Sequence, residues 1–450
     1  MSAYPMLQNR SPRIIASFVF TIVLLWALNV SAQLDSARLT PKSIKVLTDS
    51  LAKQLNRYYI DRDAAVKMGE AVRKNFKAGK YNAVHDAHVL AGILTRDLRS
   101  VHNDEHLHVQ YYPAVARELS GDIEDVPAMV AAKLQMEQEQ NFGFRKVEIL
   151  DGNLGYIEIS KFSRLNKYSR ATADAAFQLL KNSKAIIIDL RYGLGGSPEM
   201  MTYILSRFYR ERLHVSDIYI RSENTTLAYY TSPDSSHRPF NQMPLYVLTS
   251  YKTFSAAEAL VYTLQQTGRA IIVGEKTRGG AHTVTFRNLS GGFVCDMPFG
   301  VARDPKSGKN WEGKGITPDV ISPNENALKT AALHYLEQAI EKETDQVIVS
   351  KLRWQQALYT DAPASLQDSA ALRQFTGTFG SGCITVEKGC LYYQKTGMAK
   401  LPLQALSPAL LRIKSNNQFI IEVLRDSSGE VSAISTHYDD GRSEYARRIR

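Results

Sequence analysis

Three cysteines in 450 residues are too few for a disulfide-built scaffold, and their spacing fits no zinc knuckle. Cys383 and Cys390 flank ITVEKG, which reads as a hairpin, so an oxidising compartment would permit a bond between them. Cys295, inside GGFVCDMPF, reads as a small buried hydrophobe. Neither a P-loop nor G-x-G-x-x-G occurs, which excludes the common phosphate cradles. There is no block of Lys and Arg interleaved with aromatics. The formal charge of +10 is spread along the chain, and without residues 1–32, which hold Arg10 and Arg13 and no acid, it is 10 − 2 = +8. That pattern argues for a soluble basic protein and against a nucleic-acid partner. Internal repeats and low-complexity tracts are also missing, and only one long apolar run exists.

That run is IIASFVFTIVLLWALNV. It follows Arg10 and Arg13 and ends in Val30-Ser31-Ala32. A positive start, an apolar stretch and small residues at the −3 and −1 positions read as a secretory signal peptide over 1–32, cleaved after Ala32. The rival is an uncleaved anchor, since about 17 apolar residues could just span a bilayer. Cleavage implies a periplasmic or extracellular protein with no stable membrane insertion afterwards.

The remainder changes texture twice. Residues 33–110 read as a helical domain: PKSIKVLTDSLAKQLNRYY, AAVKMGEAVRKNF and HVLAGILTRDL carry apolar residues at three- and four-residue steps, and LHVQYY then alternates like a strand. A polar connection fills 111–150. From 151 to 342 strands alternate with helices. LGYIEIS, AIIIDL, LYVLT and AIIVG read as strands, with helices expected from Ser169, Pro198, Ser255 and Asn326. AIIIDL is nearly continuous in apolar residues, as expected of a strand covered on both faces. Residues 343–374 read as a linker. Short strands with turn signals (GTFGSG, EKGC, DSSGE, DDGR) make 375–450 a small all-β domain.

Two segments carry chemistry. Ser255 follows a buried strand and opens a helix, where unpaired N–H groups can stabilise a developing anion. The bland reading of Ser255-x-x-Glu258 is a capping box. The second segment, DLRYGLGGSPEM, turns through Gly193, Gly195 and Gly196 at a strand end and exposes backbone N–H groups of the kind an oxyanion hole needs. Its bland reading is a tight strand-to-helix turn.

Together these segments resemble the tail-specific (C-terminal processing) protease clan, which also contains the tricorn core and the interphotoreceptor retinoid-binding protein modules. GYIEISKF, IIIDLRYGLGG, LYVLTSYKTFSAAEAL, GRAIIVGEKTRGGAH and WEGKGITPDV match in order over about residues 150–335. The resemblance implies an α/β (α+β) catalytic domain of the ClpP/crotonase-like spiral type and a serine peptidase with no cofactor, no metal and a peptide or protein substrate. Tail-specific proteases proper use a lysine where this chain has Gly280, leaving Lys276 as a poorly matched fallback. Room for a PDZ domain is also lacking, with only about forty residues between LHV and GYIEI.

Both departures point to the tricorn-like and retinoid-binding-protein-like branch. The resemblance then implies His106, in DEHLHV, as general base and Glu312 as the acid, reached through Glu105. Gly195, Gly196 and Ala256 supply the oxyanion hole. An asparagine often stands in the family where this chain has Gly193. His108 and His282 are rival bases, and Asp319 reads as a turn-capping residue. Two alternatives stay open. The same fold can hold apolar ligands without catalysis, and His102-Asn103-Asp104-Glu105-His106 fits the inverted zinc motif H-x-x-E-H, provided a helix puts His102 and His106 on one face.

Overall fold

A computed structural model describes residues 39–121, 126–232, 240–360, 366, 368–414, 419–438 and 442–449. The expected signal peptide, 1–32, lies outside the described residues.

Helix starts follow the sequence closely. Thr40 caps α1 (Pro41–Tyr58) with a capping box to Ser43, Asp61 caps α2 (Arg62–Lys77), and Asp86 caps α3 (Ala87–Val101). The three bury Leu47, Leu51, Leu55, Met68, Leu90, Leu94 and Leu98 against one another. Strand β1 (His108–Tyr111) follows, then α4 (Pro113–Ser120) and α5 (Val126–Glu139).

The next stretch alternates: β2 (Phe144–Leu150), β3 (Leu154–Ile159), α6 (Lys167–Leu180), β4 (Ala185–Asp189), α7 (Pro198–Leu205), β5 (His214–Ile220), β6 (Thr225–Tyr230), β7 (Leu245–Thr249), α8 (Ala256–Gln266) and β8 (Ile271–Gly274). After them come β9 (His282–Asn288), β10 (Phe293–Arg303) and β11 (Val320–Ile321). One sheet has the order β11-β8-β7-β4-β3-β2, with β4, β7, β8 and β11 parallel. Every residue of β4 and β7 is buried, as their apolar runs require.

The second sheet, β1-β10-β5-β6 with β9 on β10, was not visible in the sequence. Strand β1, expected at the end of a separate helical domain, pairs with β10, His108 opposite Asp296. Leu289, Phe293, Cys295 and Met297 enter the core of the three helices. The helical segment and the α/β segment therefore form one compact unit, covering 39–148 and 155–327 of the described residues. Pairing across 188 residues leaves no local trace in either strand.

The second unit comprises residues 149–154 and 328–449. It holds α9 (Ala327–Lys342), α10 (Gln346–Leu358), α11 (Ser369–Leu372) and a closed antiparallel barrel. The barrel strands are β12 (Gly377–Phe379), β13 (Gly382–Glu387), β14 (Cys390–Lys395), β15 (Leu401–Ser407), β16 (Leu410–Ile413), β17 (Phe419–Arg425), β18 (Val431–Tyr438) and β19 (Ser443–Ile449). Phe375, Phe379, Ile384, Leu391, Leu411 and Ile421 fill its interior. Closure through the β12–β19 pairing leaves no open edge. The β13–β14 hairpin is the one expected between the two cysteines, but its register sets Cys383 opposite Gln394 and Cys390 opposite Glu387. Four residues along a strand is about 13 Å, too far for a disulfide, and both thiols are free.

Candidate active site

Ser255 differs from the other capping residues of this chain. Thr40, Asp61, Asp86, Asn166 and Ser197 all cap in extended backbone, whereas Ser255 has φ 57° and ψ −127°. That conformation costs a non-glycine residue on the order of 1–3 kcal/mol and persists only where the surroundings impose it. A plain capping serine has no need of it. The surroundings are identifiable: the Phe254 N–H donates to the Gly193 carbonyl at 2.9 Å, and the Thr253 hydroxyl to that of Leu190 at 2.8 Å.

The glycine turn is pinned from its other side. Phe162 N–H donates to Gly195 O at 2.7 Å, Ser197 N–H to Phe162 O at 2.8 Å, and Leu194 N–H to Ser160 O at 2.9 Å. Gly195 has φ 86°, and a Cβ there would stand 2.6 Å from the Ala256 nitrogen and 2.8 Å from the Ser255 Cβ. The turn therefore lies directly against Ser255. Among the described residues no backbone carbonyl accepts from the N–H groups of Gly195, Gly196 or Ala256. Those three are the donors expected for an oxyanion hole, and two of the residues, Gly196 and Ala256, line one cavity together with Ser255.

His106 lies just before β1, stacked on Phe254 with ring centroids 4.3 Å apart. Its ring is buried and neither nitrogen has a hydrogen-bond partner. Burial pushes its pKa down to about 3, against the upward pull of Asp104, so the imidazole is neutral in the empty site. Gly280 explains how the ring fits. A Cβ at 280 would come within 2.6 Å of His106 Cε1 and 2.2 Å of Phe254. The space a lysine would need at that position is occupied by the stacked rings of Phe254 and His106.

The sequence reading assigned the acid to Glu312 through Glu105, and the structure distributes these carboxylates differently. Glu105 pairs with Arg278, whose guanidinium lies over Phe254. Glu312 accepts the backbone N–H groups of Ala281 and His282, and its other oxygen stands 3.7 Å from His282 Nδ1. The carboxylate beside His106 is Asp104, fully buried, with Oδ1 3.9 Å from His106 Nδ1. Asp104 accepts the His106 backbone N–H at 2.9 Å, the Tyr59 hydroxyl at 2.9 Å and His282 Nδ1–H at 2.8 Å. Burial alone would raise its pKa, but the hydrogen bond and charge of His282, with His106 beside it, hold it well below the carboxylate range. His282 moves the opposite way: Asp104 and Glu312 outweigh its burial and raise it.

Glu258 was read only as half of a capping box. Its side chain is 0% exposed and accepts four donors: Ser255 N–H at 3.0 Å, Gly280 N–H at 2.7 Å, Gly279 N–H at 2.7 Å and Thr277 O–H at 2.6 Å. One carboxylate thus ties the Ser255 backbone to the glycine segment under His106. Position i+3 from Ser255 was the only signal in the sequence.

Asp104, His282 and Glu312 are the one group of described residues whose ligand atoms lie close enough for a metal, within 4.8 Å of one another. Their bonding argues against that use. His282 Nδ1 is a donor to Asp104, and both Asp104 oxygens already accept protein hydrogens. The zinc reading through His102 and His106 is corrected. Helix α3 ends at Val101, His102 is its C-terminal cap in extended backbone, and no helix joins the two histidines. Of the other rivals, His108 is held by Arg99 at 2.7 Å, Lys276 is exposed, and Asp319 accepts Ile272 N–H at 2.8 Å as a structural staple.

The cavity at Ser255 has a volume of about 40 Å³, and Pro198, Met201, Ile218, Ala259, Ala302 and Trp311 supply its apolar wall. A larger one of about 320 Å³, beside Leu39 and Phe293, is lined by no imidazole or carboxylate and by none of the residues around Ser255 and His106.

Residues 153–322 match peptidase family S41, and residues 30–148 match the N-terminal domain of peptidase S41 in eukaryotic IRBP. A carboxyl-terminal-processing peptidase 2, chloroplastic, of Arabidopsis thaliana is 29% identical over 170 residues, covering 37% of this chain and 31% of that protein. A carboxyl-terminal-processing protease of Picosynechococcus is 26% identical over 187 residues, covering 38% and 40%. The chain thus spans less than half the length of these curated relatives. Among solved structures, a photosystem II D1 C-terminal processing protease aligns over 64% of this chain and 94% of its own, with 18% identity and a TM-score of 0.41.

Proposed function

Because this chain belongs to peptidase family S41, we propose that it is a serine endopeptidase that cleaves peptides or unfolded proteins, with Ser255 as nucleophile and His106 as base. The observation that carries the reading is Ser255 itself. It is held at positive φ at the head of α8, against the Gly195 backbone, with the unpartnered His106 ring stacked on the adjacent Phe254. Ser255 Oγ attacks the peptide carbonyl carbon as its proton passes to His106. The carbonyl π electrons move onto oxygen, held by N–H groups of Gly195 or Gly196 and Ala256. The C–N bond breaks, the amine takes the proton from His106, and water activated by the same ring releases the acyl-enzyme.

The enzyme-defining experiment is hydrolysis of a mixed peptide library by the chain lacking residues 1–32, beside Ser255→Ala. The parent should cleave and be labelled at Ser255 by a fluorophosphonate, and the variant should do neither while unfolding at the parent temperature. Cleavage by Ser255→Ala sinks the assignment. Absence of any cleavage, with saturable uptake of an apolar ligand, supports the binding-protein alternative.

Specificity follows from the cavity wall. A cavity of about 40 Å³ has room for only about three waters, at roughly 10–15 Å³ each. The wall is apolar but for Ser216, Thr283 and His282, and His282, whose pKa, despite its burial, is raised by Asp104 and Glu312, offers no counter-charge to a cation. Cleavage should therefore follow small uncharged side chains, with Lys and Arg at that position depleted at least about tenfold, since burying an unpaired charge is costly. Library products ending in Lys or Arg would show that this cavity does not receive the side chain.

Export is the remaining part of the reading. The Arg10/Arg13 start, the single apolar run and Val30-Ser31-Ala32 support a periplasmic or extracellular protein whose mature chain begins at Gln33. N-terminal sequencing of the protein recovered outside the cytoplasm tests it, and recovery with residues 1–32 attached overturns cleavage.

A further inference from the structure

His106 is left with an unresolved need. A base that takes a proton from serine becomes a cation inside a buried site, and it requires an anion to orient it and stabilise that charge. Glu105, the residue adjacent in sequence, is turned away to Arg278. Glu312 is spent on the backbone of Ala281 and His282. The carboxylate nearest His106 Nδ1 is Asp104 at 3.9 Å, already fixed to the His106 backbone N–H.

We propose, building on the peptidase reading above, that Asp104 is the acid of this site and that His282 is a second imidazole that holds Asp104 in place. Glu312 acts one step further back, on His282. The unit then runs Ser255, His106, Asp104, His282, Glu312, and the last three are positioning residues. Catalytic hydrogen bonds are often long without substrate and tighten when it binds, and a small rotation of the unpartnered His106 ring closes the gap to Asp104. That rotation commits Nδ1–H to Asp104 and leaves Nε2 to take the Ser255 proton. Asp104 stays ionised throughout because Tyr59 O–H and His282 Nδ1–H both donate to its other oxygen.

Charge around the pair is consistent with this order. Asp104, Glu312 and Asp61 face His282, while Asp104, His282, His108 and Arg278 face His106. A histidine set between two carboxylates favours its cation, and that cation keeps Asp104 deprotonated. The arrangement extends the logic by which a serine peptidase's acid fixes the tautomer of its base.

The test uses Asp104→Asn and His282→Gln, read by kcat and KM separately, by the rate of fluorophosphonate labelling at Ser255, and by proton NMR. Asp104→Asn should lower kcat by about 10³- to 10⁴-fold with KM changed less than about threefold, and slow labelling in parallel. His282→Gln should lower kcat by about 10- to 100-fold, the usual range for a group supporting a site residue. One proton resonance downfield of the amides, from His282 Nδ1–H, should be present in the parent and in Ser255→Ala and absent from both variants. Parent-like kcat in Asp104→Asn overturns the proposal. So does His282→Gln being as inactive as His106→Ala while Asp104→Asn retains activity, because His282 would then be the base. Loss of parent activity in chelator would place a metal on Asp104, His282 and Glu312 and equally overturn it. Should Asp104→Asn not fold, His282→Gln and Tyr59→Phe decide: parent-like kcat in both is contrary, and a graded loss in each is in favour. Cleavage by Ser255→Ala would instead sink the peptidase reading, a separable result.

Discussion

One methyl group added at position 280 is expected to remove most of the peptidase activity. Gly280→Ala would place Cβ 2.6 Å from His106 Cε1 and 2.2 Å from Phe254, so both rings must move. The Gly280 N–H is bonded to Glu258 and its carbonyl accepts the Trp311 indole at 2.8 Å, so the backbone cannot easily yield instead. A displacement of about 1 Å between base and nucleophile costs on the order of 10²-fold in rate. We therefore expect kcat/KM to fall about 100-fold or more. Overpacking should lower stability by only about 1–3 kcal/mol. The readout is kcat/KM on a library-derived peptide together with thermal unfolding. Gly280→Lys should likewise be inactive and should not yield a serine–lysine enzyme, since the required space holds an imidazole. Parent-like kcat/KM in Gly280→Ala would mean that His106 can leave its place without consequence, and it would cease to be the base.

The second large effect is expected at Glu258. All four of its partners are donors: three are backbone N–H groups, and the Thr277 hydroxyl already accepts Ile316 N–H at 2.7 Å, so it must donate to Glu258. In Glu258→Gln an amide NH₂ would face N–H or O–H groups and leave about two buried donors unsatisfied, at about 1–3 kcal/mol each. Stability should fall by about 2–5 kcal/mol, and kcat by about 100-fold because Ser255 and Gly280 lose their common anchor.

The pH dependence carries opposite signs for stability and activity. Burial outweighs those four hydrogen bonds and pushes Glu258 up to about 7. A folded-state value above that of a free glutamate, about 4.5, means the group's contribution to stability is complete below about 4.5 and declines as pH rises through about 7. The decline amounts to about 3 kcal/mol. Activity needs all four bonds, and a protonated carboxyl cannot accept all of them, so kcat/KM should rise over the same window. Both trends should vanish in Glu258→Gln. Activity and stability rising together between pH 5 and 7.5 would contradict this account.

Much of the site was legible because its chemistry is local. Ser255 after a buried strand, the glycines at 193, 195 and 196, and the D-x-H-L form of Asp104 to Leu107 lie in continuous segments whose backbone needs are written in residue type. The two cysteines illustrate the opposite case. Their hairpin was readable from turn residues, but the register that separates them by four positions depends on which side chains enter the barrel. The helices α1 to α3 were legible as amphipathic periods with polar caps, whereas their union with the second sheet was not, because β10 shows no local mark of the strand it will pair with.

What the sequence by itself determined is therefore the set of chemical groups and the segments that present them: the serine at a helix start, a backbone turn able to donate N–H groups, histidines ahead of a strand, and an all-β tail. Only the tertiary structure decided how the titratable groups are matched. Glu105, the neighbour of both Asp104 and His106 in the sequence and the residue expected to link Glu312 to His106, turns to Arg278. Asp104 instead meets His282 from 178 residues away, and Glu258 reaches across to Gly279 and Gly280. The reason is physical: a buried carboxylate must find donors wherever the packed chain supplies them, and those donors are set by strand pairing and core packing, not by neighbours in sequence.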